Sequence, residues 1–246
     1  MKKLTADKYR ELFRLRAEGK LDHMECTKSL YRLLKPLYFK GIKILDVPCG
    51  VGHFFRKLRE LGEIEYLGID IDPESIRIAK EIWKNAPNAK FQVGDITRLN
   101  LSDNSMDIVY CYNLMLHLET YEAALKELFR VSKRYLFVRS LFGEKTQIRK
   151  VEVCDDYWDV YKSGFVYYNT YAREDIIRFL RGLGPCKIRF IDDNVVIPES
   201  SIKKQAQVLG VNESEFTKGG GDKKQTLKGM RLNYEVLSVE KITRTI

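Results

Sequence analysis

The chain has 246 residues, 44% of them hydrophobic and 31% charged, which fits a soluble domain with additions and a substantial buried core. No apolar run approaches the length of a membrane span, and the opening Met1-Lys-Lys is not followed by an apolar signal-peptide core. Five scattered cysteines form no Cys-x-x-Cys pair and no metal-ligand spacing, so the expectation is a reducing, cytoplasmic setting with no metal centre.

Residues 1–40 read as a helical cap, with Thr5 as a capping residue and Leu4, Leu12, Leu15, Leu30, Leu33, Leu34 and Leu37 as core contacts. The body, 41–246, opens on a strand pattern at Ile42, Ile44, Leu45 and Val47. The chain then turns through Gly50 and Gly52 into a helical pattern with apolar Phe54, Phe55, Leu58 and Leu61. A strand, a glycine turn and a helix start bring backbone close to a ligand. Asp46 sets the character of that ligand. A carboxylate repels the pyrophosphate that a dinucleotide fold places here, and Phe55 stands where the dinucleotide fingerprint wants a third glycine. The expected ligand is cationic or lacks phosphate.

A second strand, Ile64 to Ile69, ends at Asp70, at the spacing of an acid that accepts hydrogen bonds from ribose hydroxyls. Asp72 then caps a helix with Pro73 at its first position. A third strand, Lys90 to Val93, ends at Gly94-Asp95, and a fourth, Met106 to Cys111, ends at Tyr112-Asn113. In an open parallel sheet such polar and glycine-rich ends line the ligand crevice.

These stretches together, from about Lys43 to Val138, resemble the class I S-adenosylmethionine-dependent methyltransferases, most closely the methyltransferase-11-like branch. The matching motifs are Asp46-Val-Pro-Cys-Gly50-Val-Gly52, Gly68-Ile-Asp70-Ile, Gly94-Asp95-Ile96, Asp103-Asn-Ser-Met-Asp107-Ile-Val-Tyr and Asn113-Leu-Met-Leu-His117-Leu, in that order. The resemblance implies a Rossmann-like, doubly wound α/β sheet, mostly parallel with an antiparallel C-terminal hairpin strand. It also implies S-adenosyl-L-methionine as cofactor. Asp70, with Ile71 in the same loop, would then take the ribose, and Asp95 and Ile96 the adenine. Gly50 and Gly52 would hold the amino-acid tail with Asp46 near its ammonium, and Asn113 would contact the cofactor. His117 and Tyr112 are the candidates for catalysis, and His53 borders the glycine turn. Two departures stand out. Pro48 replaces the usual first glycine and lacks an N–H, and the Pro-Gly-Gly turn before strand five is missing.

Beyond strand five, 141–170 collects aromatic and acidic residues, among them Tyr157, Trp158, Tyr167 and Tyr168, which are expected to wall a substrate pocket. A helix at 172–183 and strands at 186–191 and 231–242 complete the body, with a polar insertion at 193–230 containing Gly219-Gly220-Gly221. The basic excess behind the net charge of +9 is spread out, and both 1–40 and 126–150 are basic. It admits a solvated surface, an acidic small substrate or RNA. The abundant Lys, Glu and Ile fit a thermophile. The leading function is methyl transfer to an O or N nucleophile of a small molecule. RNA or protein methylation, and cofactor binding without transfer, are the alternatives; the oligomeric state is open.

Overall fold

The computed structural model describes residues 6–152, 165–197, 199–209 and 230–242. Thr5, Tyr157, Trp158 and the triple glycine lie outside the described residues.

Two helices lead the chain, α1 (Ala6–Ala17) and α2 (Glu25–Leu34). The sheet strands follow: β1 (Ile42–Asp46), β2 (Ile64–Asp70), β3 (Ala89–Val93), β4 (Met106–Tyr112) and β5 (Ser132–Gly143). Between them run α3 (Phe55–Leu58), α4 (Pro73–Ile82) and α5 (Glu122–Val131). Short strands β6 (Lys150–Glu152), β7 (Phe165–Tyr167) and β8 (Thr170–Ala172) precede α6 (Arg173–Leu183). The described chain closes with β9 (Cys186–Ile197), α7 (Glu199–Leu209) and β10 (Met230–Lys241).

The sheet order is β3-β2-β1-β4-β5-β10-β9. The strands β1 to β5 are parallel, and β10 runs antiparallel to both β5 and β9. This is the doubly wound, mostly parallel sheet with an antiparallel hairpin that the motifs imply. All seven residues of β4 are buried, as a central strand covered on both faces requires. One face carries Ile44, Phe55, Tyr66, Ile76, Tyr110 and Phe137 under α1 to α4. The other carries Leu45, Ile69, Val109, Leu125, Leu136 and Ile176 under α5 and α6.

Local chemistry explains the boundaries. Asp72 accepts from the N–H groups of Glu74 and Ser75, so it caps α4, with Pro73 just inside. α5 passes into β5 with no intervening residue, which is why the usual turn motif is absent from the sequence. The hairpin strands are longer than the apolar pattern shows. Asp193 to Ile197, read as the start of an insertion, is strand, with Asp193 opposite Tyr234. The insertion also supplies α7, where Lys204 lies 3.7 Å from Asp22.

Gly52 tests the packing behind the glycine turn. Its φ is +73°, and a Cβ there would meet Phe91 at 2.6 Å and Trp83 at 2.7 Å. The indole of Trp83 is itself fixed by donating to the Val51 carbonyl at 3.2 Å. Gly52→Ala is expected to cost about 2–3 kcal/mol of unfolding free energy in urea, combining left-handed backbone with overpacking. A loss under about 0.5 kcal/mol, within the range of ordinary surface substitutions, would show that the aromatic pair yields freely.

Candidate functional site

The C-terminal ends of β1, β2, β3 and β4 converge at one edge of the sheet, where an open α/β fold binds its ligand. The acids expected there differ in state. Asp70 is buried, and its carboxylate accepts from the Gly50 N–H at 2.7 Å and the Asp72 N–H at 3.0 Å. Burial raises its pKa above the ordinary carboxylate value while these two N–H groups pull it down. The glycine turn and the acid of β2 are thus one hydrogen-bonded unit. At Gly50, with φ +52°, an added Cβ would meet nothing within 4 Å, so the turn borders open space.

Beyond Asp70 the side chain of Ile71 is 49% exposed, an apolar surface at the mouth of the cleft. Asp95 is exposed and folds one oxygen, Oδ1, onto the N–H and hydroxyl of Thr97 at 2.8 Å each. Its other oxygen makes no hydrogen bond among the described residues. Ile96 packs beneath, in the same core as Ile69.

Asp46 corrects the expectation of a charged acid at the end of β1. Strand alternation turns its side chain inward, where it is 1% exposed and accepts from the Tyr66 hydroxyl. The Tyr110 hydroxyl is buried beside it without an aligned bond. Burial pushes the Asp46 carboxyl up to about 8, with the Tyr66 hydroxyl pulling the other way, so it is neutral at pH 7.

Around the strand-four end lies a second group. Asn113 has φ +64°, and its side-chain oxygen accepts from Arg139 Nη1. Arg139 is 3% exposed, pairs through Nε with Asp193, and stacks over Tyr234 with its guanidinium carbon 3.8 Å from the ring centroid. Tyr112 is buried, and its hydroxyl has no hydrogen-bond partner. His117 places Nδ1 at 2.8 Å from the Tyr167 carbonyl. A carbonyl only accepts, so Nδ1 carries the proton and the neutral ring has its basic lone pair on Nε2. Burial lowers the His117 pKa, which favours that neutral form.

The aromatic wall divides. The Tyr168 ring meets His117 edge-on at 4.9 Å, whereas the Tyr167 ring turns to Lys150, 5.9 Å from its centroid. Tyr167 ends β7 and Tyr168 lies just beyond it, and the two rings meet different neighbours, so only the Tyr168 ring joins the group. His53 lies inside the molecule, stacked on Phe13 of α1 at 4.6 Å. His23 is half-buried.

Sequence reasoning missed the burial of Arg16 and Arg139 and the pairing of Arg139 with Asp193. Both arginines had been counted with the solvated basic segments, yet they are 6% and 3% exposed. The signal was present for Arg139: a cation between Phe137-Val138 and Leu141-Phe142 in a buried strand demands a partner. A surface hollow lined by Tyr121, Asp175, Phe179 and Leu183 contains none of these residues. Among the described residues no cluster could hold a metal ion, and no helix is long and apolar enough to cross a membrane.

Residues 44–134 match the family described as Methyltransferase domain. The 2-methyl-6-phytyl-1,4-hydroquinone methyltransferase of Synechocystis is 34% identical over 93 residues, 38% of this chain and 29% of that protein. The chain spans less than half the length of the curated relatives it matches. A SAM-dependent methyltransferase from Methanosarcina mazei superposes with a TM-score of 0.59 at 16% identity, over 86% of this chain and 98% of that one. The magnesium protoporphyrin IX methyltransferase of Synechocystis with bound SAH gives 0.57 at 14%, over 96% and 94%. These two show the shared fold.

Proposed function

We propose that this chain is a class I S-adenosylmethionine-dependent methyltransferase, a reading supported by the family match over residues 44–134, and that it transfers a methyl group from that cofactor to an O or N nucleophile of a small molecule. The observation that carries this reading is the joined unit of Gly50 and Asp70, with Ile71 and Asp95 flanking it at the strand ends. Its chemistry fits an adenosine. Asp70 accepts from the ribose hydroxyls, Ile71 covers an apolar ring, and the unbonded oxygen of Asp95 accepts from the adenine amino group. The open space at Gly50 lets backbone meet the amino-acid tail, with Gly52 supporting the turn from behind. When bound, the cofactor supplies a methyl group activated by positive sulfur.

What the protein adds is alignment and a proton acceptor. Asn113 is held by Arg139, so the loop after β4 is fixed where the acceptor must lie. Nε2 of a neutral His117 takes the proton of an O–H or N–H acceptor as the new bond forms. Tyr168 meets that ring edge-on and restricts its orientation. Tyr112, proposed from sequence as a catalytic candidate, keeps its hydroxyl buried in the core and is left out of this reading. The small-molecule reading draws support from curated relatives named for quinone, phosphoethanolamine and sterol substrates. The four described cysteines are all free, which fits the cytoplasm.

Asp70→Ala is expected to weaken calorimetric binding of S-adenosylhomocysteine by about 1–3 kcal/mol, through lost charge-assisted hydrogen bonds and a loosened Gly50 turn. Unchanged affinity in a folded variant would remove this site from consideration.

A further inference from the structure

The turn that carries His117 does little to hold itself. Met115–His117 is a single 3-10 turn, and Leu114 before it supplies no side-chain cap. So short a turn leaves carbonyls without partners of its own. The carbonyls of Met115, Leu116 and Leu118 are reached instead by Asn169 and Tyr171, far along the chain.

Asn169 makes most of these bonds, and it is 0% exposed. Its backbone N–H donates to the Leu116 carbonyl at 2.8 Å. Its Nδ2 donates to the Leu118 carbonyl at 2.8 Å and to the Tyr171 hydroxyl at 3.2 Å. That hydroxyl lies 3.0 Å from the Leu118 carbonyl and 3.2 Å from the Met115 carbonyl. On its other side, Asn169 Oδ1 accepts from the Arg149 N–H at 3.0 Å. A backbone N–H only donates and a carbonyl only accepts, so these partners fix which way the amide faces.

The Arg149 end of the amide reaches the β6–β7 pair. The Arg149 carbonyl accepts from the Tyr168 N–H at 2.8 Å, and Lys150 pairs with Tyr167. One buried side chain therefore bridges two pieces: the turn that carries the His117 ring, and the strand whose Tyr167 carbonyl that ring meets. The hydrogen bond at one imidazole nitrogen decides which nitrogen holds the proton. A bridge that sets this meeting sets the tautomer.

We propose that Asn169 is a positioning residue for methyl transfer: by clamping the Leu116 and Leu118 carbonyls to the β6–β7 pair, it holds His117 in the Nδ1–H tautomer with Nε2 as the proton acceptor. The inference rests on the reading of His117 as the base.

Imidazole NMR on the nitrogen-15-labelled full chain at pH 8 tests the clamp with no acceptor present. The chain has three histidines, and His117→Gln identifies the ring of interest by loss of its signals. Wild type should show His117 protonated at Nδ1. In Asn169→Ala the ratio of the Nδ1–H to the Nε2–H form should fall at least about threefold, the worth of one hydrogen bond. Asn169→Ser, too short to span Arg149 and Leu118, should shift the same way and carries the test if the alanine variant does not fold. Asn88→Ala is the control for a merely structural amide. Asn88 Nδ2 donates to the Ile64 carbonyl at 2.9 Å beside the edge strand β3, so its loss should lower the melting temperature and leave the His117 ratio unchanged.

A wild-type ring protonated at Nε2, a ratio equal in wild type and the Asn169 variants, or the same shift in Asn88→Ala overturns the proposal. Failure of both Asn169 variants to fold marks the amide as structural and overturns it too. Calorimetry with S-adenosylhomocysteine should find wild type and Asn169→Ala alike, because the clamp serves the acceptor side; a tenfold loss confined to the variant counts against it. Should S-adenosylhomocysteine bind neither protein while the tautomer shifts as expected, the clamp on His117 stands and the methyl-transfer reading falls.

Discussion

Replacing Asp193 by alanine is expected to lower the unfolding free energy by about 3–5 kcal/mol, the typical result of leaving one member of a buried ion pair unpaired. Asp193 and Arg139 are 6% and 3% exposed, so water screens neither charge. In the variant, Arg139 would keep the Asn113 oxygen and the Tyr234 face but no counter-charge. The pair is strongly destabilising to break and much less so to remove whole. The double variant Arg139→Met with Asp193→Leu should therefore recover most of the loss, and urea denaturation of the set measures the coupling. Its binding properties should not recover, because Asn113 loses the donor that holds it in left-handed backbone. A single variant within about 0.5 kcal/mol of wild type would show that the pair opens to water in solution.

This pair also marks where the sequence stopped being legible. The parallel strands could be read because each is an apolar run closed by glycine or an acid, and the observed spans agree to within a residue or so. The cap of α4 could be read because Asp72-Pro73 acts locally. β9 could not be read to its end, because Asp192-Asp193-Asn194 breaks the apolar pattern. What keeps Asp193 in a strand is Arg139, 54 residues earlier, and its place opposite Tyr234. The candidate site divides in the same way. The motifs mark Asp70 and Gly50 separately, and the hydrogen bond that joins them spans a sequence separation of 20. Tyr167 and Tyr168 looked equivalent in sequence, yet their rings meet Lys150 and His117 respectively. Arg16 looked like one more surface cation, and only the packing of α1 on the glycine turn buries it.

Asp46 is the clearest case in which the residue was found and its state was misjudged, and it leads to the other large effect. Its carboxyl has an ordinary pKa of 3.8 and is pushed up to about 8 in the fold. Between those values the folded chain holds a proton that the unfolded chain has released, so raising the pH favours unfolding. The contribution is complete below about pH 4, declines through the interval, and is gone above about pH 8. The full interval corresponds to at most about 6 kcal/mol. His53 acts in the opposite sense. Burial lowers its pKa from 6.5 to about 3, so its share of stability grows as the pH rises through that lower range. Above pH 6.5 the Asp46 effect is therefore no longer masked by His53.

Asp46→Asn isolates it. The amide resembles the protonated acid in shape, can accept from the Tyr66 hydroxyl, and does not titrate. From pH 5 to pH 9 the variant should gain several kcal/mol on wild type in urea denaturation, up to a limit of about 4 kcal/mol for that window. Parallel stability curves across that range would mean that the acid is ionised in the fold. Water or a cation would then reach it, and the inward-facing, neutral Asp46 described above would be wrong.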